Sequence, residues 1–250
     1  MNGSMRWTPI LAMAVALASA VPWSAAAADQ YVLAVNWQPA FCETRPALPE
    51  CRTQTAVRFD ASHLALHGLW PQPRENVYCG VDAGHRAADE AGRWDRLPAI
   101  GLTAGTRDAL ERVMPGSRSY LHRHEWLKHG TCYTGSPELY FGDSLRLMAE
   151  LNDSPVRTLL AGSVGRVITG GAIRARFDEA FGAGAGRRVE IVCRRVGARR
   201  LIVELRLNLS GQAGSGAGLG GLLAAAPERL PGCGSGIVDR VGIGLADDPS

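Results

Sequence analysis

Residues 188–209, RVEIVCRRVGARRLIVELRLNL, contain the clearest structural pattern of the chain. Apolar side chains occupy every second position from 189 to 193 and from 201 to 209, with mostly polar residues between them, and a turn at residues 196–198 separates the two runs. Alternation with a period of two is typical of β-strands that bury one face. The pattern predicts an antiparallel hairpin. Its inward faces are formed by Val189, Ile191, Cys193, Leu201, Val203, Leu205 and Leu207.

Earlier segments carry further strand and helix signals. Residues 30–37, QYVLAVNW, and the apolar residues 63–70 favour buried strands. Helical spacing of apolar residues occurs in residues 106–113, in a segment that begins near Ser117 or Ser119 and ends at His129, and in residues 137–151. Gly130 follows the middle helix as an expected C-terminal cap. Because strands lie at both ends of the chain and helices between them, we expect a single α+β domain with a central antiparallel sheet flanked by helices.

Three segments are predicted to be loops. Residues 41–55 contain two Cys and two Pro, and residues 71–94 are polar and Gly-rich. Residues 211–226 consist mostly of Gly and Ala, which is typical of a mobile loop or a weak helix, and we interpret them as a Gly/Ala-rich loop of the same domain.

The first 28 residues differ from the rest of the chain. Arg6 is their one charged side chain, residues 10–21 are almost wholly apolar, and small residues fill most of positions 24–28. This order is that of a secretory signal peptide, and the apolar run is shorter than the ~20 residues of a membrane-spanning helix. We expect cleavage near Ala28, which leaves residues 29–250 as the mature domain. A buried N-terminal helix is the alternative.

Composition limits the class of protein. Of the 250 residues, 46% are hydrophobic, too many for a disordered chain, and 27 Lys and Arg against 24 Asp and Glu give a formal net charge of +3. This charge excludes only a bulk electrostatic binder of nucleic acid, which is usually strongly basic. We expect a monomer in the periplasm or outside the cell, without membrane contact once the signal peptide is removed.

The cysteines are predicted to form disulfides, because the expected compartment is oxidising. Zinc ligation is the competing interpretation, but no Cys-x-x-Cys pair is present. The six residues are Cys42, Cys51, Cys79, Cys132, Cys193 and Cys233.

Ionisable side chains are concentrated in residues 122–132, HRHEWLKHGTC, which hold three of the six His. At about 100° per residue on a helix, four of these side chains share an arc of about 140°. The four are His124, Glu125, Lys128 and His129. Trp126 and Leu127 point to the opposite side and can anchor the helix in the core. The pattern favours a helix that lines a cleft, and a solvated face with ion pairs is the alternative.

The same segment begins like the zinc motif H-E-x-x-H but departs from it. The motif requires a second His four residues after His124, where this chain has Lys128. His129 comes one residue later, about 140° around a regular helix, so we expect that the two imidazoles do not share one zinc ion. The sequence therefore predicts no metal and no cofactor.

Residues 67–72, HGLWPQ, form the second informative motif, at the end of a predicted strand. A lone His such as His67 in an apolar run is more often a hydrogen-bonded core residue than a catalytic one. Together and in this order, HGLWPQ and HEWLKHGTC resemble the two signature segments of the ribonuclease T2 family, the secreted His-dependent endoribonucleases. Residues 35–42, VNWQPAFC, are similar to the family's opening strand, and the resemblance fades in the C-terminal third.

The resemblance implies metal-independent cleavage of RNA, preferably single-stranded. The 2′-OH attacks the phosphate to form a 2′,3′-cyclic phosphate, which is then hydrolysed to a 3′-phosphate, and DNA is inert because it lacks the 2′-OH. His129 is implied as the base and His67 as the acid of the first step. Lys128 supplies positive charge, Glu125 orients or polarises the site, and His124 is implied as a phosphate ligand.

Bases are expected to stack on aromatic side chains near the first motif. Trp70 is the best candidate, and Gln72 and Tyr78 are weaker ones; a core Trp braced by Pro71 is the alternative. Seven Arg within residues 187–206 form either a phosphate-attracting surface or, as we favour, the solvated side of the hairpin.

The resemblance also implies the disulfide pairs Cys42–Cys51, Cys79–Cys132 and Cys193–Cys233. Two alternatives to a ribonuclease stay open at this point. One is a secreted RNA-binding or cytotoxic interaction protein without turnover. The other is a zinc hydrolase, which the helix geometry disfavours.

Overall fold

The computed structural model describes residues 1, 3, 30–133, 135–212 and 214–244. The expected signal peptide and its cleavage point lie outside these residues, apart from Met1 and Gly3. Among the described helices, none is both long and apolar enough to cross a membrane.

The described residues form six strands, nine α-helices and several short 3-10 helices. The strands are β1 (Gln30–Asn36), β2 (Ala65–Pro71), β3 (Val167–Thr169), β4 (Val189–Val196), β5 (Arg199–Ser210) and β6 (Ser235–Ile237). The α-helices are α1 (Gln38–Thr44), α2 (Pro49–Arg52), α3 (Ala83–Glu90), α4 (Ala104–Val113), α5 (Leu121–Lys128), α6 (Pro137–Asn152), α7 (Pro155–Ala161), α8 (Gly170–Phe181) and α9 (Leu219–Ala225). The 3-10 helices are Phe59–Ala61, Trp94–Arg96, Pro115–Ser119, Gly130–Cys132 and Ala185–Arg188.

The strands belong to one sheet with the order β2-β1-β5-β6-β3, and β4 pairs with β5. Strand β5 has 12 residues and is central, because residues 204–210 pair with β1, from Ser210 opposite Gln30 to Glu204 opposite Asn36, and residues 199–207 pair with β4. Pairing is antiparallel except between β5 and β6. The predicted hairpin and the predicted α+β class are both confirmed.

The apolar face of the sheet is buried under helices. Leu33 and Val35 of β1 and Leu205 and Leu207 of β5 are at most 1% exposed. They share one core cluster with side chains of α6 and α8, namely Phe141, Leu147, Met148, Ile173 and Phe177. Each such burial contributes about 1.5–3 kcal/mol relative to exposure, so this face fixes which way every sheet side chain points.

Strand β2 contains a β-bulge at the first motif. Leu66 pairs with Val35 and Gly68 pairs with Ala34, which leaves His67 as the extra residue. Leu66 and Leu69 both belong to the core even though they are three positions apart. The bulge therefore lets His67 and Trp70 project together from the other face of the sheet, which regular alternation does not permit.

Helix α6 holds the bulged strand in place. The hydroxyl of Tyr140 donates to the carbonyl of Leu69 at 2.9 Å and accepts from the Leu69 N–H at 3.3 Å. Tyr140 is 1% exposed, so these two bonds form away from water. Helix α6 thus fixes β2 two residues beyond the bulge.

Two of the predicted loops contain short helices. Residues 41–55 include the end of α1 and all of α2, whose buried faces contain Cys42 and Cys51. Residues 71–94 include α3, which begins where the Asp82 carboxylate accepts from the His85 N–H at 2.9 Å. The loop prediction was wrong there because Pro at a first turn and an Asp cap start a helix as readily as they mark a turn.

The Gly/Ala-rich segment at residues 211–226 is also not a loop throughout. Its second half is α9, in which Leu219 and Leu223 are 0% exposed and Leu222 is 8% exposed. These three leucines pack into the main core, and this burial outweighs the weak helix propensity of the surrounding glycines.

The helix of the second motif begins later than predicted. Ser117 and Ser119 lie in a 3-10 helix, Tyr120 adopts a φ of 63°, and α5 starts at Leu121. Ser119 does not cap α5, because its hydroxyl donates to the Gly116 carbonyl and to Glu50.

The end of that helix also differs from the prediction. Gly130 does not adopt a left-handed conformation; it begins a 3-10 helix packed against Trp126, whose ring would lie 2.3 Å from a Cβ at position 130. The glycine is required there by close packing, and not as a helix cap.

The three implied disulfides are present: Cys42–Cys51, Cys79–Cys132 and Cys193–Cys233. The second bridge joins the chain after β2 to the 3-10 helix that follows α5. The two motifs are therefore linked covalently as well as through the core.

Replacing Tyr140 with Phe should destabilise the protein by about 1–3 kcal/mol, because the buried Leu69 N–H loses its partner. Chemical denaturation measures this change in the free energy of unfolding. Tyr120→Phe is the matched control, since that ring is 39% exposed, and we expect it to change the free energy little. Equal effects of the two substitutions would contradict the role given to the Tyr140 hydroxyl.

Candidate active site

Strand β2, helix α5 and strand β5 border one open cleft of about 490 Å³, called here the main cleft. It brings together seven of the residues that the sequence predicts for the site, and adds an arginine of β5. They are His67, Trp70, Gln72, His124, Glu125, Lys128, His129 and Arg206. The predicted arc of α5 faces this cleft, while Leu127 and Trp126 pack against the core.

The side chain of Glu125 is almost wholly buried between β2 and α5. The Trp70 indole donates to Glu125 Oε2 at 2.9 Å. Gly68 permits this approach, because a Cβ at position 68 would lie 1.9 Å from Oε2 and 2.6 Å from the indole nitrogen. The glycine of the first motif therefore makes room for the carboxylate of the second.

The other oxygen of Glu125 points at two imidazoles. Oε1 lies 3.7 Å from His67 Nε2 and 3.9 Å from His124 Nε2, and it accepts no hydrogen bond from the described residues. Burial raises the pKa of Glu125, although the nearby charges of His67, His124 and Lys128 and the bond from Trp70 oppose this rise. The Glu125 carboxylate is thus close enough to both rings for its charge to interact with their protonated forms.

His67 is held at the bulge by an acidic partner on β5. Its Nδ1 lies 2.7 Å from Glu204 Oε2. Burial lowers the pKa of His67, but the bond to Glu204 and the negative charges of Glu125 and Glu204 outweigh it, so the pKa is raised above the ordinary 6.5. His67 therefore favours its protonated form.

Glu204 and Arg206 were not predicted as site residues from the sequence, in which Arg206 is one of the seven hairpin arginines that we favoured as a solvated surface. Arg206 Nε donates to Glu204 Oε1 at 2.5 Å, and its guanidinium lies 5.8 Å from the centre of the Trp70 ring. Burial would raise the pKa of Glu204, yet the bond to His67 and the charge of Arg206 hold it below its usual range. The signal in the sequence that could have identified Glu204 is its position as a carboxylate inside the most apolar stretch of β5.

His129 lies at the C-terminal cap of α5, with φ −114° and ψ −46°. Its Nδ1 is buried and finds no hydrogen-bond partner among the described residues. Burial, reinforced by the positive charges of Lys128, His124 and His67, lowers the pKa of His129 to about 3. His129 is therefore neutral above about pH 3, where His67 still favours its protonated form.

His124 is oriented by residues that the sequence analysis placed in a loop. Its Nδ1 lies 2.8 Å from Asp89 Oδ1, and its ring stacks on Trp94 at 4.6 Å between centres. The Tyr78 hydroxyl donates to the same Asp89 carboxylate at 2.7 Å. Tyr78 is not among the described residues that line the main cleft. Its hydroxyl holds Asp89, so its side chain supports the orientation of His124 from outside the cleft.

The other two candidate base-binding residues do line the main cleft. The ring of Trp70 lies 5.2 Å from that of His67 and 5.6 Å from that of His129, centre to centre. The Gln72 amide donates to the carbonyl of Trp70 at 3.1 Å. Trp70 is partly exposed and borders both catalytic candidates, which suits a stacking surface beside the reacting phosphate.

His124 and His129 lie closer together than their spacing on a regular helix predicts. Ligand atoms of His124, Glu125 and His129 all lie within 4.8 Å of one another, close enough for one ion. The expected separation holds for a regular helix through His129, whereas α5 ends at Lys128 and the cap geometry turns the ring of His129 back toward His124.

The arginine-rich hairpin contributes one residue to the main cleft. Of its seven arginines, all of which the structure describes, Arg206 lines the cleft. Arg187 and Arg199 form ion pairs with Glu228 and with Glu43. Arg188 is partly buried and donates to the carbonyls of Ala226 and Gly184. The exposed Arg194, Arg195 and Arg200 fit the solvated surface that we favoured.

A second pocket of about 260 Å³ lies on the other side of His67 and is called here the Glu50 pocket. Its wall is formed by residues of β1, α1, α2 and the chain that leads into α5, including Gln38, Glu50 and Ser119. Because His67 borders both spaces, the main cleft and the Glu50 pocket meet at this imidazole.

Comparison with known proteins agrees with this site. The model of the Ribonuclease T2 family matches residues 28–215. Ribonuclease I of Escherichia coli K12 is 32% identical over 206 residues, which cover 74% of this chain and 76% of that protein.

Solved structures show the same fold. The self-incompatibility associated SF11-RNase of Nicotiana alata superposes with a TM-score of 0.53 at 15% identity, over 84% of this chain and 98% of that one. RNase NT in complex with 5′-AMP superposes with a TM-score of 0.50 at 20% identity, over 84% and 96% of the two chains. Since the family model spans most of the chain and its two motifs meet in one cleft, this chain belongs to the Ribonuclease T2 family and is an endoribonuclease.

Proposed function

We propose that this endoribonuclease cleaves RNA without a metal, by attack of the 2′-OH on the adjacent phosphate. The first product is a 2′,3′-cyclic phosphate, and a second step hydrolyses it to a 3′-phosphate. One observation carries the proposal. His67 and His129 border the same indole, yet the pKa of His67 is raised while that of His129 is lowered to about 3.

Opposite shifts assign opposite roles to the two rings. Neutral His129 is the base that takes the proton from the 2′-OH. Protonated His67 is the acid that gives a proton to the leaving 5′-oxygen. After cyclisation the rings have exchanged protonation states, so His67 can activate water and His129 can protonate the 2′-oxygen in the hydrolytic step.

Charge that develops on the phosphate needs cationic partners. Lys128 and Arg206 line the main cleft, and His124 presents its Nε2 there because Asp89 holds its Nδ1. We propose that these groups bind the phosphate oxygens. Glu125 acts as a positioning residue for His67 and His124, which lie on either side of its free oxygen.

The two spaces beside His67 fit a single strand of RNA whose bases are splayed apart. One base stacks on Trp70 in the main cleft, with Gln72 nearby, and the neighbouring base enters the Glu50 pocket. A paired duplex cannot present its bases this way, so single-stranded RNA is the proposed substrate, and DNA is excluded because it lacks the nucleophile. RNase NT, a protein of the same fold, was solved with 5′-AMP bound.

We propose that the mature protein acts as a monomer in the periplasm or outside the cell. Three disulfides support an oxidising compartment, together with the signal-like pattern of the first 28 residues. All the groups invoked above come from one chain.

Purified protein in excess EDTA should cleave single-stranded RNA at an unchanged rate, because every proposed role belongs to a side chain. Chromatography of the products should detect 2′,3′-cyclic phosphates first and 3′-phosphates later, and the matching DNA should stay intact. Loss of activity in EDTA with recovery on adding a divalent ion, or binding of RNA without cleavage, would contradict the proposal.

His67→Ala and His129→Ala should each lower kcat at least about a hundredfold, the low end of what a positioned acid or base contributes. The measurement is steady-state cleavage of a short fluorescent RNA. His85→Ala is the matched control, since His85 lies on α3 away from the main cleft and pairs with Asp82. Near-normal kcat in either cleft variant would exclude its proposed role.

The pH dependence of kcat/KM should follow the two imidazoles. Activity requires neutral His129 and protonated His67, so the rate should rise with pH near 3 and fall above 6.5. Glu204→Gln removes the negative charge that raises the pKa of His67, so the alkaline limb should move to lower pH. Glu228→Gln, on an exposed residue that pairs with Arg187, serves as the control. An unmoved alkaline limb in Glu204→Gln would show that His67 is not the acid.

A further inference from the structure

Glu50 is a buried carboxylate that the proposed mechanism does not use. It is 1% exposed and lines the Glu50 pocket. Ser119 donates to Oε1 at 3.0 Å, whereas Oε2 accepts no hydrogen bond from the described residues. A buried carboxylate oxygen without a partner costs stability, so its place in the wall of a pocket points to a donor that arrives with a ligand.

Positive side chains near Glu50 are engaged elsewhere. Arg58 donates to the main-chain carbonyl of Glu50 at 2.7 Å and gives its other nitrogens to the Asp60 carboxylate. Arg45, at the rim of the pocket, donates to the carbonyl of Thr44. Neither guanidinium is bonded to the Glu50 carboxylate, which keeps its acceptor capacity for a ligand.

Two buried amides complete the polar part of the pocket. Asn36 is 4% exposed and Gln38 is 2% exposed. The oxygen Oδ1 of Asn36 has no partner among the described residues, and the amide nitrogen of Gln38 makes only a long contact of 3.6 Å with Cys42 Sγ. An amide can donate to a carbonyl oxygen of a ligand while the carboxylate accepts from its N–H groups.

Apart from His67, Ser119 and Arg45 at the rim, the rest of the wall is mostly apolar and includes Phe41, Leu66 and Leu121. Such a surface packs against the flat face of a base and excludes water from its edge. The pocket therefore combines an apolar slot with one anionic acceptor and two amides.

We propose that Glu50 makes this pocket selective for guanine. Guanine is the RNA base whose Watson–Crick edge carries two adjacent donors, N1–H and N2–H₂, beside the acceptor O6. The donors match the Glu50 carboxylate, and O6 matches the amide nitrogen of Gln38, which makes only the long contact with Cys42. Adenine and cytosine place an acceptor beside their single amino donor, and uracil flanks its one N–H with two carbonyls, so each brings an acceptor against the carboxylate.

This inference rests on the proposed function, because it assumes that the Glu50 pocket holds the base next to the scissile phosphate. It adds a substrate preference that the catalytic groups alone do not produce. A bidentate contact to a base is worth about tenfold to a hundredfold in discrimination.

The test measures kcat/KM for two sets of dinucleotides, UpN and NpU, with N as each of the four bases. We expect guanine to exceed the other bases at least about tenfold in one of the two sets, which also identifies the side of the phosphate that the pocket serves. Inosine at that position lacks the N2 amino group, and we expect it to lose most of the advantage.

The Glu50→Gln variant shows whether the carboxylate causes the preference. It should lose the discrimination between guanine and inosine, because kcat/KM for guanine falls. The uracil dinucleotide should be cleaved no more slowly than by the wild type, because its carbonyls then face an amide that can donate instead of a carboxylate. Glu43→Gln is the matched control, because Glu43 is a buried carboxylate of α1 that pairs with Arg199 outside the pocket. The control should retain the discrimination.

Equal kcat/KM for all bases in both sets, or unchanged discrimination in Glu50→Gln, would overturn the inference while leaving the ribonuclease intact. Should the wild-type protein cleave none of the dinucleotides or longer RNA, the proposed function fails instead. Calorimetric binding of GMP against IMP then decides the inference alone: tighter GMP binding that depends on Glu50 supports it, and equal binding overturns it.

Discussion

The buried carboxylate of Glu125 is the contact through which the two halves of the active site are joined. It lies against Gly68 of β2, accepts from Trp70, and turns its free oxygen toward His67 and His124. A larger residue at position 68 would occupy this space. The distance between the two motifs, and so between His67 on β2 and His124 on α5, depends on how closely β2 and α5 approach at this point.

Two further constraints make that approach productive. The bulge in β2 sets His67 and Trp70 on the same face, and the end of α5 at Lys128 turns His129 toward the same indole. Glu204 then raises the pKa of His67, and burial beside Lys128 lowers the pKa of His129. The site therefore separates the pKa values of two identical side chains by giving one of them a buried acidic partner and the other none.

The elements that could be predicted are those that leave a periodic pattern of apolar and polar residues in the sequence. Alternation in residues 188–209 predicted the hairpin and its buried face, and the arc on α5 predicted which side chains line the cleft. The sequence did not predict contacts that depend on pairing between distant segments. Glu204 reaches His67 across 137 positions of the chain, and its burial is set by neighbouring strands that no local pattern reveals. The short helices after β1 and β2 were missed for a related reason, because their buried faces exist only when packed.

The central claim is that one imidazole stays neutral while the other is protonated at the same pH. NMR titration of the His67 and His129 ring signals measures this directly, with single His variants to assign them. We expect His67 to titrate above 6.5 and His129 to stay neutral down to about pH 3. If both rings titrate together near 6.5, or if His129 titrates at the higher pH, the assignment of acid and base is wrong.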